Sequence, residues 1–130
     1  MAGGAGPRRA TTLDPMGRRH RQRTKLAAPA IDYPDADGNT LALRGSLTPA
    51  ARREYGEVLA GGLTREDARQ RALELLFERL AVSWTIAELP ITRQNELLAR
   101  YRMATAPERA FVLQSLRAHV AEHFPELEVP

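Results

Sequence analysis

Between Ala68 and Leu80 the apolar side chains Ala68, Ala72, Leu73, Leu76, Phe77 and Leu80 recur at steps of three and four residues. Arg65, Arg69, Glu74, Glu78 and Arg79 hold most of the remaining positions. That period predicts a helix with one face that must be covered and one that must stay wet. Its start is marked by Thr64-Arg65-Glu66-Asp67, where the Thr64 hydroxyl can accept from the Asp67 amide while the Asp67 carboxylate reaches back. Leu63 and Ala68 flank this cap as a hydrophobic staple. After Leu80 the period drops to two: Val82, Trp84 and Ile86 alternate with Ser83 and Thr85, so a short extended segment carrying the only tryptophan is expected. The rest of the chain has to supply the surfaces that bury this unit.

Ile31 to Arg44 reads as a hairpin, with alternating Ile31 and Tyr33, a turn-rich Pro34-Asp35-Ala36-Asp37-Gly38-Asn39, and alternating Leu41 and Leu43. The acids at 32, 35 and 37 do not make an EF-hand loop, because counting from Asp32 puts Pro34 and Ala36 at ligand positions and Asp37 where glycine is required. Thr48-Pro49 opens a helix and Gly61-Gly62 closes it, with Ala51, Tyr55, Val58 and Leu59 on one side. Gly56 inside that helix costs about 1 kcal/mol relative to alanine, so the helix depends on its neighbours. Ala87 to Ile91 reads as a connection, after which Thr92 caps a brief helix with Leu97, Leu98 and Tyr101 inward. Thr105-Ala106-Pro107-Glu108 is a second capping box, opening a helix to about Phe124 whose inward stripe is Leu113, Leu116, Val120 and Phe124, widened by Phe111 and Val112. The expected fold is mainly α: about four short amphipathic helices with a small N-terminal β-hairpin in a single domain. Residues 1–30 form a disordered basic arm, 31–125 the helical domain and 126–130 a flexible tail.

The 130 residues suffice for one domain, and with 5% aromatic residues its core must be mostly Leu, Ala and Val. The absence of cysteine excludes disulfides, thiolate chemistry and cysteine-ligated zinc. No apolar run reaches the roughly 18 residues of a membrane span, and no apolar stretch follows the N-terminal charges, so a cytoplasmic protein with no membrane partner is expected. The charge is divided unevenly. Residues 1–31 hold seven basic side chains and Asp14, 7 − 1 = +6; the remainder holds 12 basic and 15 acidic, 12 − 15 = −3, and together they give the net +3. Eighteen of the 19 basic residues are arginine, a bias that GC-rich coding also produces, so their clustering is more informative than their number.

The clustered residues are Arg18, Arg19, Arg21, Arg23 and Lys25, next to Met16, an alternative start. They suit weak, sequence-independent contact with nucleic-acid phosphates or an acidic protein surface. Without stacking aromatics among them, base readout is not expected. His119-Val120-Ala121-Glu122-His123 matches the HxxEH pattern of inverted zinc proteases, which places two imidazoles on one helix face. Only seven residues follow to provide a third zinc ligand, and histidine near a helix C-terminus is favoured by the dipole, so the pattern is read as structural. Ser46, Ser83 and Ser115 have no neighbouring His-Asp pattern, and Gly3-Gly4-Ala5-Gly6 follows no strand. No catalytic, cofactor or metal site is therefore assigned, and the chain is not expected to be an enzyme. Trp84 has two roles open to it, core anchor or exposed centre of a protein interface.

The sequence of features, an Asp-Gly strand pair ending in Leu41-Ala42-Leu43-Arg44, a Thr-Pro helix, and a second helix running into Leu80-Ala81-Val82-Ser83-Trp84, resembles the small tail assembly chaperones of long-tailed actinobacterial phages and prophages. The likeness covers residues 37 to about 98. It implies a non-catalytic protein-protein interaction module that binds a long structural phage protein or associates with itself. The sequence departs from that pattern in its basic N-terminal arm and in having no Asp-Gly hairpin after the tryptophan. The competing expectation is a small nucleic-acid-associated adaptor that uses the arm.

Overall fold

A computed structural model describes residues 29–62 and 64–130. The order of elements is β1 (Ile31–Pro34), β2 (Thr40–Leu43), α1 (Pro49–Ala60), α2 (Arg65–Leu80), β3 (Ala81–Ile86), β4 (Leu89–Ile91), α3 (Gln94–Arg102) and α4 (Ala106–His123). The four strands form one antiparallel sheet in chain order, β1-β2-β3-β4. Among the described residues the fold is thus mixed α/β, with four helices as expected but a sheet twice the size of the expected hairpin. Its register aligns Tyr33, Leu41, Trp84 and Ile91 in one row facing the helices. Asp32, Ala42 and Ser83 form a row on the opposite face.

The helix of the organising unit forms as expected, over Arg65–Leu80. All six residues of the apolar stripe of α2 are buried, while Leu75 is half-buried, and the Thr64 hydroxyl accepts from the Asp67 amide at 3.0 Å. The return half of the box is replaced, since the Asp67 carboxylate accepts from Arg71 at 3.0 Å, one turn further on. Leu63 and the arm residues Arg18, Arg19, Arg21, Arg23 and Lys25 lie outside the described residues. Helix α2 passes into β3 without a loop: Ala81, its C-cap, already has extended angles. The simple alternation expected for β3 is broken at Val82, because Ala81 pairs with Leu43 while Ser83 pairs with Ala42, leaving Val82 as a bulge. Ala81 and Trp84 are consequently the buried residues of that strand.

The segment after Ile86 is a hairpin rather than a plain connection. Ala87 and Glu88 take φ of 51° and 67°, the two positive values of a type I′ turn, and β4 returns alongside β3. Neither residue is glycine or asparagine, so each carries the left-handed cost of about 1–2 kcal/mol, offset in part by Asn39 Oδ1 accepting from the Ala87 amide at 3.0 Å. Installing Ala87→Asn with Glu88→Gly should raise stability by about 1–2 kcal/mol in urea denaturation. An unchanged midpoint would mean that other contacts relieve the turn.

Both sheet edges carry a proline. Ile86 and Leu89 close the two-residue turn as a hydrogen-bonded pair, so the next pair, Thr85 and Pro90, is non-bonded and the Pro90 nitrogen faces outward. The Asp35 amide donates to Asn39 O at 2.9 Å, which by the same alternation turns the Pro34 nitrogen to the outer side of β1. Each proline removes a donor that another strand would need. The hairpin turn itself is built by Asp35, whose carboxylate accepts from the amides of Asp37 and Asn39 and from the Asn39 side chain. That accounts structurally for one of the three acids considered above.

Three further details differ from expectation. Arg93, not Thr92, is the N-cap of α3 and makes no side-chain cap bond, while Leu97 and Tyr101 are buried as foreseen. The stripe of α4 is rotated: Val112, Ser115, Leu116, His119 and Val120 are buried, whereas Leu113 is intermediate. Residues 126–130 pack back over the fold in place of the flexible tail, with Leu127 and Val129 against the core, Arg52 paired with Glu126, and the Tyr55 hydroxyl donating to the Glu128 carbonyl.

Candidate functional site

The helix faces that cover the sheet bring two polar features into contact with the core. The first surrounds His119, which the helical period of α4 directs inward and which is fully buried. Its Nε2 lies 2.8 Å from the Arg44 carbonyl and its Nδ1 lies 2.8 Å from the Tyr33 hydroxyl. A carbonyl can only accept, so Nε2 carries the proton and Nδ1 accepts from Tyr33 O–H. The Tyr33 ring meets the imidazole edge-on at 5.6 Å, and the His123 ring lies 4.6 Å away. Burial pushes the His119 imidazole below the usual histidine range, with His123 acting in the same direction and the Arg44 carbonyl against it. Burial raises the Tyr33 phenol, and the Glu122 charge raises it further.

This geometry gives the HxxEH pattern a definite structural use. Both nitrogens of His119 are engaged, so ligation of a metal would require breaking one of these bonds. Glu126, one of the two carboxylates considered as a third ligand, is paired with Arg52. Among the described residues no group of three or more His, Asp or Glu side chains is placed to hold a metal ion.

The second feature surrounds Trp84, which is 1% exposed. Phe77 meets it edge-on at 6.0 Å, and Tyr101 stacks on Phe77 at 4.8 Å. Two guanidiniums cover this cluster: Arg100 sits 5.4 Å from the Trp84 ring and Arg109 5.2 Å from that of Tyr101. Arg100 is fixed in turn by Glu108, with bonds of 3.0 and 2.7 Å. The indole Nε1 is buried and has no hydrogen-bond partner among the described residues. Trp84 therefore occupies the core of the described fold, and in this arrangement its ring offers no surface to a partner.

Among the described residues, the large apolar side chains left outside are Leu89, 71% exposed beside the Ala87-Glu88 turn, and Met103, 80% exposed at the end of α3. Sequence reading did not single out either, since one exposed leucine in a presumed connection has no periodic signal. A cleft of about 580 Å³ lies where α1 begins and α2 ends, lined by Arg44, Ser46, Thr48, Glu78 and Gln94 among others. Its polar groups are largely answered within the protein: Thr48 caps α1, Arg79 pairs with Glu54 at 2.9 Å, and Gln94 donates to the Glu78 carbonyl. No described helix is long and apolar enough to cross a membrane. Comparisons with family models, curated proteins and solved structures give no match.

Proposed function

We propose that the chain is a non-catalytic, cytoplasmic protein-interaction module that docks on a long structural protein, as its resemblance to phage tail assembly chaperones implies. The observation that carries this reading is the tip of the β3–β4 hairpin. There Leu89 is 71% exposed beside two non-glycine residues held at positive φ. Strain combined with an exposed leucine is poorly explained by stability alone, and both are consistent with a docking feature. The proline in β4 argues that contact is made through side chains and not by addition of a strand.

The test is affinity capture of the full chain from its native host after nuclease treatment, with the partner identified by mass spectrometry. A long structural protein should be retained, and Leu89→Glu should remove it at least tenfold without shifting the melting temperature, because so exposed a side chain contributes little to folding. Capture of the same partner by Leu89→Glu would remove the hairpin from the interface.

The second reading, a nucleic-acid-associated adaptor, is favoured by the +6 charge of residues 1–31 against −3 in the remainder. With five clustered cations, binding to duplex DNA should be insensitive to sequence and fall roughly 10²–10³-fold between about 50 and 200 mM salt. Deleting residues 1–25 should abolish it and leave thermal stability unchanged. DNA affinity retained by the truncated protein would place the site on the folded body.

A further inference from the structure

Residues 126–130 lie as a strap along α1, in the direction in which α1 runs. Glu126 pairs with Arg52, the Glu128 carbonyl accepts from the Tyr55 hydroxyl, and Val129 and Pro130 reach a cleft lined by Leu59, Arg65 and Arg69. The body holds this strap in the way a peptide-recognition groove holds a foreign segment. Tyr55 and Arg117 donate to main-chain carbonyls, those of Glu128 and Pro130, the second at 2.8 Å, and such donors serve any extended chain. Selection comes from the side chains: Leu127 and Val129 pack against the core, and Glu126 meets a guanidinium.

The groove is larger than its occupant. Clefts of about 350 Å³ and 490 Å³ remain beside the strap. The first is bordered by Gly56, a glycine in the middle of α1 that weakens the helix relative to alanine. Its φ is not positive and a Cβ built on it meets nothing within 4 Å, so neither backbone nor packing in the described fold requires glycine there. What the missing side chain does is keep the cleft open. The second cleft holds surplus charge, because Arg65 and Arg69 have no carboxylate within ion-pair distance among the described residues.

We propose that this groove takes an extended acidic segment of a partner protein, whose glutamates or aspartates alternate with apolar side chains and continue beyond the point Pro130 reaches, in place of residues 126–130. The strap is the resident competitor. Being tethered, it acts at an effective concentration of the order of millimolar, and a partner overcomes this with what the strap lacks, acids over Arg65 and Arg69. No residue of the β3–β4 hairpin lines the groove, so the fate of the Leu89→Glu experiment leaves it untouched.

Fluorescence anisotropy on the full chain tests this with a labelled peptide, Pro-Glu-Leu-Glu-Val followed by three glutamates, against a control that ends in three lysines. The folded chain should bind the first at least tenfold more tightly than the control. Leu127→Ser with Val129→Ser removes the apolar anchors of the strap, leaves the groove intact and should tighten binding at least tenfold. Binding seen only in this strap variant also supports the proposal, since the tether favours the strap. Arg65→Glu with Arg69→Glu should weaken binding at least tenfold, and Gly56→Leu should abolish it. Neither should lower the melting temperature, because Arg65 and Gly56 are exposed and Arg69 is half-buried. If the strap variant does not fold, the wild type and these two variants decide. Equal affinity for the two peptides, no binding by any folded form, unchanged affinity in the strap variant, or binding that survives the charge reversal or Gly56→Leu would each overturn the proposal, the last by placing acid capture elsewhere, for example on Arg18 to Lys25.

Discussion

Trp84→Ala is expected to remove a large share of the domain's stability. The side chain is 1% exposed, and removing so large a buried ring typically costs about 3–5 kcal/mol through lost transfer energy and an unfilled cavity. Domains of this kind have about 5–15 kcal/mol in all, and one with 5% aromatic residues has few other large anchors. The loss would extend to Phe77, whose edge contact at 6.0 Å disappears, and to Arg100, left without the ring beneath it. Trp84→Phe makes the informative comparison. It keeps an aromatic ring and deletes the buried Nε1 donor that has no partner, whose burial costs about 1–3 kcal/mol in its own right. The loss of volume and the gain from removing that donor oppose each other, so the net change should stay within about 1.5 kcal/mol. Chemical denaturation measures both variants, and the wild-type tryptophan emission should be blue-shifted and inaccessible to quenchers. Red, quenchable emission with a stable Trp84→Ala would show that the ring is on the surface in solution.

What was legible in the sequence follows from the strength of each local signal. Helix α2 combines a side-chain cap with six apolar residues in period, and all six are buried. Thr48-Pro49 and Thr105 to Glu108 were equally clear because a hydroxyl at the cap satisfies an otherwise orphaned amide wherever the helix goes. The β1–β2 hairpin was readable from its turn residues. Strand β4 was not, for a physical reason: its turn uses Ala87 and Glu88 where such turns prefer asparagine and glycine, and its centre is a proline. The sheet accepts both because the Pro90 nitrogen faces outward and Asn39, from the other hairpin, holds the Ala87 amide. Only the tertiary fold brings those residues together.

The rotation of α4 has a similar origin. Reading apolar residues alone selects Leu113 for the inward stripe, whereas the actual face runs through Val112, Ser115 and His119. Two of these are polar, and they are buried at little cost only where partners exist. For His119 the partners come from Tyr33, 86 positions earlier, and from the Arg44 carbonyl, 75 positions earlier. Sequence spacing registered the two histidines one turn apart and suggested a zinc pattern; it had no means of registering a tyrosine that arrives from the opposite edge of the fold. In the same way Trp84 is evident in the sequence as the largest side chain available, but its setting beneath Arg100 depends on α3 and on Glu108 of α4.

Glu108 is where the second large effect is expected. Its carboxylate completes the capping box by accepting from the Thr105 amide at 2.9 Å, and it accepts two bonds from Arg100, the residue that covers Trp84. Hydrogen bonds from Arg100, then from the Thr105 backbone, hold its acid form off until about pH 2, against 4.5 for an ordinary glutamate. Because folding lowers this pKa, the stabilisation is complete above the unfolded value of 4.5 and is lost as pH falls toward 2. The side chain is 25% exposed, so water screens the ion pair and its full electrostatic worth is not realised. Glu108→Ala should cost about 2 kcal/mol at neutral pH, roughly half from the cap and half from the pair with Arg100. Glu108→Gln keeps an acceptor for the Thr105 amide and loses the charge, so it should cost about 1 kcal/mol at neutral pH and converge with the wild type in acid. Urea denaturation at a series of pH values separates these contributions. Parallel wild-type and Glu108→Gln profiles across that acid range would place the acid sensitivity of the fold elsewhere.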